Sequence, residues 1–255
     1  MTATAIIQAR MGSTRLPGKV LMDISGKPLL WHGIDRIKHC KTIAQIIVAT
    51  SIRSEDRAVL DLASSIGVKT FADSEEDVLD RYYQAASKYN ADPIVRITAD
   101  CPVIDPQIVD EVVSNFLAGD YDVYGLTGAF PDGLDVTVFS YRSLQEAWKN
   151  AKLPSEREHV GPYILNHPEI FKQGTHVKFH NLGHMRWTVD EPNDLQFIRE
   201  IYKRLYKKDK ENFLTPDILT LLENEPDLMK INSGIIRNEG YLKSLKKDKE
   251  ITRRG

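Results

Sequence analysis

The sequence predicts an α/β fold with a mostly parallel sheet, because short apolar runs alternate along the chain with segments of helical period. Four runs rich in Ile and Val have the length and composition of buried strands: Thr4–Gln8, Gln45–Ser51, Val68–Ala72 and Pro93–Thr98. Strands that alternate with helices form parallel sheets covered by helices on both faces. We therefore expect a Rossmann-like sandwich of three layers.

Three helices are predicted beside these strands, because apolar residues recur at positions i, i+3, i+4 and i+7. The three apolar stripes are Val59, Leu62, Ala63 and Ile66; Leu79, Tyr82, Tyr83 and Ala86; and Val109, Val112, Val113 and Phe116. Pro106 suits the first position of the third helix, and Asp105 suits its N-cap.

The pattern is less regular after Gly119. The predicted elements there are strands at Tyr121–Tyr124 and Leu134–Phe139, helices at Ser140–Asn150 and Glu156–Asn166, and irregular β structure at Phe171–Leu182. A helical stripe returns at Ile198, Ile201, Tyr202 and Leu205. The segment Leu242–Gly255 is rich in Lys and Arg, which predicts a solvated helix end or a disordered tail rather than an RNA-binding arm.

The composition is that of an ordinary globular protein, with 42% hydrophobic and 27% charged residues among 255. We expect one domain at residues 1–245, followed by a basic tail at 246–255. The net charge of −2 argues against a nonspecific nucleic-acid surface. Cys40 and Cys101 lie far apart and lack a CxxC partner, as expected of idle thiols in a reducing compartment. No leader pattern and no apolar stretch of about 18–20 residues is found, which predicts a cytoplasmic protein without membrane contact.

Two loops are candidate ligand sites, because parallel sheets bind ligands at the carboxyl ends of their strands. They are Ala9–Lys19, after the first strand, and Ala99–Pro106, after the fourth. The first loop combines glycines and hydroxyl groups with the cations Arg10, Arg15 and Lys19. Glycines let backbone N–H groups approach anionic oxygens, and the cations neutralise phosphate charge.

This loop differs from the common phosphate-binding motifs. Five residues, rather than four, separate Gly12 from Gly18, and Val20 stands where a Walker A loop has its Mg²⁺-binding Ser or Thr. The dinucleotide-binding pattern GxGxxG is also missing. The loop therefore indicates either a polyphosphate site of another type or an ordinary cationic surface loop.

The stretch Ile7–Lys19 resembles the signature of nucleotide-activating cytidylyltransferases, the family of the CMP-ulosonic acid (Kdo and sialic acid) synthetases. The likeness is greatest to the spore-coat polysaccharide protein F branch. Further stretches similar to that branch follow in order at Phe71–Tyr82, Arg96–Pro106, Pro131–Val136, Arg157–Val160, Arg186–Asp190 and Asn238–Leu245. The resemblance thus covers nearly the whole chain. It implies a fold of the nucleotide-diphosphosugar transferase type, with residues 128–182 as a small β/α arm for acceptor closure and dimerisation.

The same resemblance implies an enzyme that transfers CMP from CTP to a small acidic acceptor, with release of pyrophosphate, for surface polysaccharide biosynthesis. The expected acceptor is a nonulosonic or related sugar acid, and the expected assembly is a homodimer. Arg10 and Lys19 are the implied catalytic residues. The residues implied to bind the nucleotide are Ala9, Arg10, Met11, Gly12, Ser13, Arg15, Lys19, Ser74 and Asp77.

Two aspartates are candidate Mg²⁺ ligands. Asp100 follows a buried strand, and Asp190 follows a predicted short strand, Arg186–Val189, so that the two carboxylates could meet across the cleft. Mg²⁺ is typically held by one or two carboxylates together with water and substrate oxygens. The family resemblance assigns both residues to the metal. Taken alone, Asp100 also suits a turn, and Asp190 suits a helix N-cap ahead of Pro192.

Three further residues, Asp135, Arg157 and His159, are candidates for binding the acceptor. A turn is the alternative role for Asp135, and the exposed face of an amphipathic helix is the alternative for Arg157 and His159.

Three other functions remain open from the sequence. A cytidylyltransferase for a phosphonate or a phosphorylated small alcohol would need extra cations in its acceptor pocket. A glycosyltransferase that uses a nucleotide sugar would normally carry a DxD-like metal motif, which we do not find. An inactive nucleotide-binding partner is disfavoured because Arg10, Lys19, Asp100 and Asp190 occur together.

Overall fold

A seven-stranded sheet forms the centre of the computed structural model, which describes residues 2–207 and 213–253. The strands in chain order are β1 (Ala3–Gln8), β2 (Asp23–Ile24), β3 (Lys27–Pro28), β4 (Ile43–Ser51), β5 (Lys69–Asp73), β6 (Ile94–Thr98), β7 (Val123–Leu126), β8 (Thr137–Phe139) and β9 (Gln173–His176). Strands β2 and β3 pair with each other as a separate hairpin.

The order of strands across the sheet is β5-β4-β1-β6-β8-β7-β9. Strands β5, β4, β1 and β6 are parallel neighbours, and they are the four strands whose apolar runs the sequence predicts. Strand β8 runs antiparallel to both β6 and β7, and β9 runs parallel to β7. The prediction of an α/β fold with a mostly parallel sheet is confirmed.

The helices of the described residues are α1 (Leu29–Lys38), α2 (Arg57–Ser65), α3 (Val78–Tyr89), α4 (Pro106–Gly119), α5 (Tyr141–Asn150), α6 (Pro154–His159), α7 (Pro162–Leu165), α8 (Pro192–Leu205), α9 (Thr215–Asn224) and α10 (Glu239–Thr252). Short 3₁₀ turns lie at Lys19–Leu21, Ser54–Asp56 and Pro226–Lys230. None of the helices in residues 2–207 and 213–253 has the length and apolar character of a membrane span.

Two hydrophobic clusters cover the two faces of the sheet. On one face, Ala5, Ile7 and Val48 pack with residues of α1, α2, α4, α8 and α9. On the other face, Ile6 and Ile47 pack with residues of α3, α5 and α7. Successive strand residues point to opposite faces, so the apolar runs supply both clusters and place the sheet between two helical layers.

Local capping explains where several helices begin. Asp105 accepts a hydrogen bond from the Gln107 backbone N–H at 2.9 Å, so the predicted N-cap of α4 is confirmed. The N-cap proposed for Asp190 is wrong by one residue, because Glu191 takes that position ahead of Pro192. Helices α1 and α9 were not predicted.

The chain between β7 and α8 differs from the prediction in three places. The predicted helix Glu156–Asn166 is divided into α6 and α7, because Val160 adopts a positive φ of 69° between them. The predicted strand Leu134–Phe139 begins only at Thr137. The predicted strand Arg186–Val189 is a single bridge, which pairs Arg186 with Asp132.

The segment 128–182 contributes β8 and β9 to the main sheet, together with helices α5, α6 and α7. Its role as a lid and dimerisation arm stays a prediction. Residues 246–252, for which the sequence allowed a helix end or a disordered tail, form the last turns of α10, while Arg254 and Gly255 lie outside the described residues.

Candidate active site

The loop after β1 is folded tightly against its neighbours. The Met11 carbonyl accepts hydrogen bonds from the backbone N–H groups of Ser13 at 2.8 Å and Gly18 at 2.9 Å. The Met11 N–H donates to Asp56 Oδ1 at 2.6 Å, which ties the loop to the residues after β4. Gly18 has a φ of 72°, a left-handed conformation that glycine adopts without steric cost. This turn leads directly into Lys19.

The Lys19 ammonium group joins the two candidate metal ligands. Its Nζ donates hydrogen bonds to Asp100 Oδ2 at 2.9 Å and to Asp190 Oδ1 at 2.8 Å. A third bond, of 2.8 Å, goes to the carbonyl oxygen of Val189. The structure therefore brings together Lys19, Asp100 and Asp190 at the carboxyl end of the sheet.

The charges in this cluster stabilise one another. Burial alone would lower the pKa of Lys19, but Asp100 and Asp190 outweigh it and hold this pKa above its ordinary value. Burial alone would raise the pKa of Asp100, but the charge of Lys19 and hydrogen bonds, including one from Thr98, lower it to about 2. Both groups are therefore charged at neutral pH.

Backbone contacts hold the two carboxylates in place. The Val189 N–H donates to the Asp100 carbonyl at 2.9 Å, and the Thr188 hydroxyl donates to the same oxygen at 3.2 Å. The segment that precedes α8 is thus fixed to the loop that follows β6, and Asp190 is held near Asp100.

Arg186 forms a second layer of contacts behind Asp190. Its guanidinium group donates to Asp190 Oδ2 at 3.0 Å, to Asp132 Oδ2 at 2.8 Å and to both oxygens of Asp194. Asp194 also accepts hydrogen bonds from the backbone N–H groups of Asp190 and Glu191. No local pattern in the sequence indicates this positioning role, although Arg186 begins the stretch Arg186–Asp190 that resembles a family motif.

Two cavities, of about 540 and 380 Å³, meet at this cluster. The smaller is lined by the first-strand loop, and we call it the nucleotide cavity. Of the residues expected from the sequence to bind the nucleotide, those that line this cavity are Ala9, Arg10, Ser13, Arg15 and Lys19. The larger is lined by Asp132, Asp135 and Thr137, and we call it the acceptor cavity. The wall common to both contains Arg15, Arg96, Thr98, Asp100, His159, Asp190, Glu239 and Gly240.

Asp135 lines the acceptor cavity and also serves its own turn, because Oδ2 accepts a hydrogen bond of 2.9 Å from the Gly133 N–H. Gly133 has a φ of 107°, and a Cβ atom there would lie 2.5 Å from the Thr188 backbone nitrogen. Only glycine fits such a position. The turn thus lies directly against the chain that carries Asp190.

Several predicted site residues are placed elsewhere. Met11, Gly12, Ser74, Asp77 and Arg157 are not among the residues that line either cavity. Asp77 caps α3, where it accepts a hydrogen bond from the Asp80 N–H at 2.9 Å, and it also forms an ion pair with Arg157. Arg157 donates a further hydrogen bond of 2.8 Å to the Trp148 carbonyl. These contacts fasten α3 to α6, and a direct substrate contact by these five residues stays a prediction.

His159 lines both cavities at the end of α6. Its Nε2 lies 3.2 Å from the Ser244 hydroxyl, which in turn donates to Glu158 Oε2 at 2.6 Å. Burial lowers the pKa of His159, and the nearby Arg96 lowers it further against the opposing effect of Glu158. The imidazole is therefore neutral at pH 7.

Helix α10 borders both cavities and contacts the loop after β1. Arg15 forms an ion pair of 3.2 Å with Glu239, and Asp248 accepts a hydrogen bond of 3.0 Å from the Ser155 N–H. Lys243 and Lys247 line the nucleotide cavity. Lys243 and Lys247 are not among the site residues expected from the sequence. Lys243 lies within Asn238–Leu245, whose resemblance to a family motif is a signal that points to it.

Comparisons with known proteins give a consistent result. The family model described as cytidylyltransferase matches residues 4–216. The spore coat polysaccharide biosynthesis protein SpsF of Bacillus subtilis is 30% identical over 87% of this chain and 94% of its own length. A 3-deoxy-manno-octulosonate cytidylyltransferase of Trichlorobacter lovleyi is 38% identical over 120 residues, which are 46% of each chain.

One solved structure is similar over nearly the whole chain. A cytidylyltransferase from Leptospira borgpetersenii superposes with a TM-score of 0.86 at 30% sequence identity. The alignment covers 93% of this chain and 100% of the other.

Proposed function

The chain belongs to the cytidylyltransferase family, and from this premise we propose that it transfers CMP from CTP to a hydroxyl group of a small sugar acid, with release of pyrophosphate. The acceptor class we favour is a nonulosonic or related sugar acid. The partial likeness to a 3-deoxy-manno-octulosonate enzyme and the full-length likeness to a polysaccharide biosynthesis protein support this choice.

The observation that carries the proposal is the wall between the two cavities. Lys19, Asp100 and Asp190 meet there, and Arg10 and Arg15 also line the nucleotide cavity. A nucleotide on the loop side and an acceptor on the other side would meet beside the aspartates. Such an arrangement suits nucleotidyl transfer, in which the enzyme mainly aligns the reactants and neutralises charge.

In the proposed reaction, an acceptor hydroxyl oxygen forms a bond to the α-phosphorus of CTP and gives up its proton to water. The bond from that phosphorus to the oxygen of the β-phosphate breaks, and pyrophosphate leaves with the bond's electron pair. Arg10, Arg15 and Lys19 provide fixed positive charge for the oxygens on which negative charge develops. Such groups accelerate the reaction because they are already oriented before it begins.

Asp100 and Asp190 fit a Mg²⁺ ion by their chemistry. Their carboxylates contact one common ammonium group, so their oxygens lie within two hydrogen-bond lengths of each other. The described residues contain no cluster of three or more His, Cys, Asp or Glu side chains suited to a metal. A pair of carboxylates completed by phosphate oxygens and water is the arrangement that Mg²⁺ accepts. When bound, the ion would supply further positive charge to the phosphate oxygens.

The charges of the acceptor cavity favour a carboxylate over a phosphonate or phosphate monoester. Its acidic lining residues are Asp100, Asp132, Asp135, Asp190 and Glu239, whereas its Arg and Lys residues are Arg15 and Arg96. Arg15 already forms ion pairs with Asp190, Glu191 and Glu239. A doubly charged acceptor group would therefore find few free cations.

A pyrophosphate-release screen tests the proposal. The purified protein, with Mg²⁺ and each of the four nucleoside triphosphates, is mixed with sugar acids, phosphonates and phosphorylated small alcohols. We expect release with CTP and a sugar acid, together with the largest thermal stabilisation by CTP. Equal stabilisation by UTP or ATP would contradict the choice of nucleotide, and release only with phosphonates or phosphorylated alcohols would contradict the choice of acceptor.

A further inference from the structure

Arg96 lies on β6 at the wall between the two cavities. In the sheet it pairs with Ile6 on β1 and with Thr137 on β8, so it occupies a central strand. Thr137 also lines the acceptor cavity. The backbone that carries this guanidinium group is hydrogen-bonded to a strand on each side.

The guanidinium group of Arg96 has no partner of its own. Its Nε is buried and makes no hydrogen bond. The hydrogen bonds of Arg96 in the sheet are made by its backbone, and no side-chain hydrogen bond or ion pair joins its guanidinium group to a residue in 2–207 or 213–253. A buried N–H group without a partner is costly, so native structures usually supply one. Arg15, the other Arg of the acceptor cavity, is paired with three acidic residues. Arg96 is therefore left to meet a ligand.

If the ligand of the acceptor cavity is an anion, the cavity needs an unpaired cationic side chain to bind it. Five acidic side chains line it, and the charges of Asp100 and Asp190 are already compensated by Lys19. His159, the remaining basic side chain of the lining, is neutral at pH 7 because burial and Arg96 lower its pKa. A carboxylate entering this cavity finds one unpaired cation, with the planar fork of donors that matches two carboxylate oxygens.

The nucleotide does not need Arg96 in the same way. The nucleotide cavity has its own cations, Arg10, Arg15 and Lys19, along the loop after β1, and Lys243 and Lys247 from α10. Among these cations, the side chains of Arg10 and Lys247 form no ion pair with a described residue and can meet the triphosphate charge. Apart from Arg96, the acceptor cavity offers no unpaired Arg or Lys among its described lining residues.

We propose that Arg96 binds the carboxylate of the acceptor and so makes the enzyme prefer acidic over neutral acceptors, an inference that rests on the proposed transfer to a sugar acid. Arg96 is then the residue that determines this part of the specificity. Its contact is with the substrate, and the aspartates beside it remain responsible for the metal.

The test compares a sugar acid that supports pyrophosphate release with its carboxamide, which has nearly the same shape but no charge. The enzymes compared are the wild type, R96M, R96K and the control R142M, which makes the same change at an exposed position of α5. Acceptor kcat and KM are measured for both compounds, and CTP affinity is measured by calorimetry. R96K is the conservative variant, which keeps the positive charge but not the planar fork of donors. It keeps the test informative if R96M fails to fold.

We expect the wild type to prefer the acid, and R96M to lose about 10- to 100-fold in kcat/KM for the acid, the loss typical of a hydrogen-bonded charged contact. The kcat/KM of R96M for the amide should change little. The ratio of kcat/KM for the acid to kcat/KM for the amide should therefore approach unity in R96M, and R96K should give a ratio between those of R96M and the wild type. CTP affinity and the behaviour of R142M should match the wild type.

Three results would overturn the inference: a wild type without preference for the acid, an R96M enzyme that keeps this preference, or an R96M enzyme whose main defect is weaker CTP binding. A wild type that binds CTP but releases no pyrophosphate with any sugar acid would instead refute the proposed function, and the Arg96 inference with it.

Discussion

Lys19 and Asp100 are separated by 81 positions in the chain, yet Nζ of Lys19 lies 2.9 Å from Oδ2 of Asp100. The same ammonium group lies 2.8 Å from Asp190. Lys19, in the loop after β1, and the two candidate metal ligands are therefore one electrostatic unit, and a change in any member should alter the behaviour of the others.

The first prediction concerns Asp100→Asn and Asp190→Asn. If both carboxylates hold one Mg²⁺, each single variant should lose about 10²–10³-fold in kcat, and the double variant should lose little more, because the site is already broken. The Mg²⁺ concentration for half-maximal activity should rise in each single variant, with partial rescue by Mn²⁺. Steady-state kinetics over a metal titration measure both effects.

A suitable control is Asp61→Asn, the same change at an exposed position of α2. Its activity and metal requirement should equal those of the wild type. Losses that multiply in the double variant, with an unchanged metal requirement, would show that the two aspartates do not share an ion.

The second prediction concerns Lys19→Met. Loss of the fixed charge should lower kcat by about 10²–10³-fold, or about 3–4 kcal/mol in transition-state stabilisation. The variant also leaves the two carboxylates without their common partner, so its unfolding temperature at pH 7 should fall. Mg²⁺ without nucleotide should then stabilise Lys19→Met more than the wild type, because the ion replaces the missing charge.

Lys149→Met, at an exposed position near the end of α5, provides the matched control for thermal scans with and without Mg²⁺. Two results would contradict the role of Lys19 at the metal site. One is a near-normal kcat for Lys19→Met, and the other is a rise in unfolding temperature with Mg²⁺ that is no larger for Lys19→Met than for Lys149→Met.

The third prediction concerns pH and Asp132. Burial and the nearby charge of Asp135 raise the pKa of Asp132 to about 6, against the opposing effect of Arg186. A folded-state pKa above the unfolded value of about 3.9 means that the contribution of Asp132 to stability is fully present below pH 4 and is lost as the pH rises through 6. Asp132→Asn cannot ionise, so its stability relative to the wild type should improve between pH 4.5 and pH 7.5, by about 1–3 kcal/mol.

Denaturant unfolding at several pH values measures the difference in the free energy of unfolding between Asp132→Asn and the wild type. The changed contact with Arg186 shifts this difference by a constant amount and does not affect its dependence on pH. A stability difference that is flat across this range would show that Asp132 stays ionised in the folded protein.

The fourth prediction concerns assembly through residues 128–182. Leu165, Ile170 and Val177 in this segment are 50, 53 and 59% exposed, and Leu165 also lines the acceptor cavity. A homodimer that buries them would place the partner beside the acceptor. We expect a dimer by analytical ultracentrifugation and a monomer, with a raised acceptor KM, for Ile170→Asp combined with Val177→Asp.

Ile52→Asp is the control, because Ile52 is 75% exposed and lies outside this segment. If the wild type is a monomer with full activity at catalytic concentrations, the predicted homodimer is contradicted.

The parts of the site that the sequence predicted follow from local rules. The loop that carries Asp100 is indicated by its place after a buried strand, at the ligand-binding edge of a parallel sheet, whereas the metal role of Asp100 rests on the family resemblance. Lys19 was assigned to phosphate for its place in a cationic loop, but its bonds to both aspartates depend on segments distant in the chain. Periodicity cannot report such tertiary contacts.

Other features had no local signal. Arg96 begins the stretch Arg96–Pro106 that resembles a family motif, but only the folded structure shows that its guanidinium group reaches a cavity without a partner among the described residues. The break between α6 and α7 depends on a left-handed conformation at Val160, which a β-branched residue rarely adopts and the sequence therefore does not suggest.

Helix α10 lies beyond residues 4–216, the segment shared with the family model, yet Glu239, Gly240 and Tyr241 complete the acceptor cavity. Glu239 and Gly240 also line the nucleotide cavity, and Glu239 pairs with Arg15 of the loop after β1. Evolutionary substitutions in this helix therefore act on both cavities at once and require compensating changes in that loop.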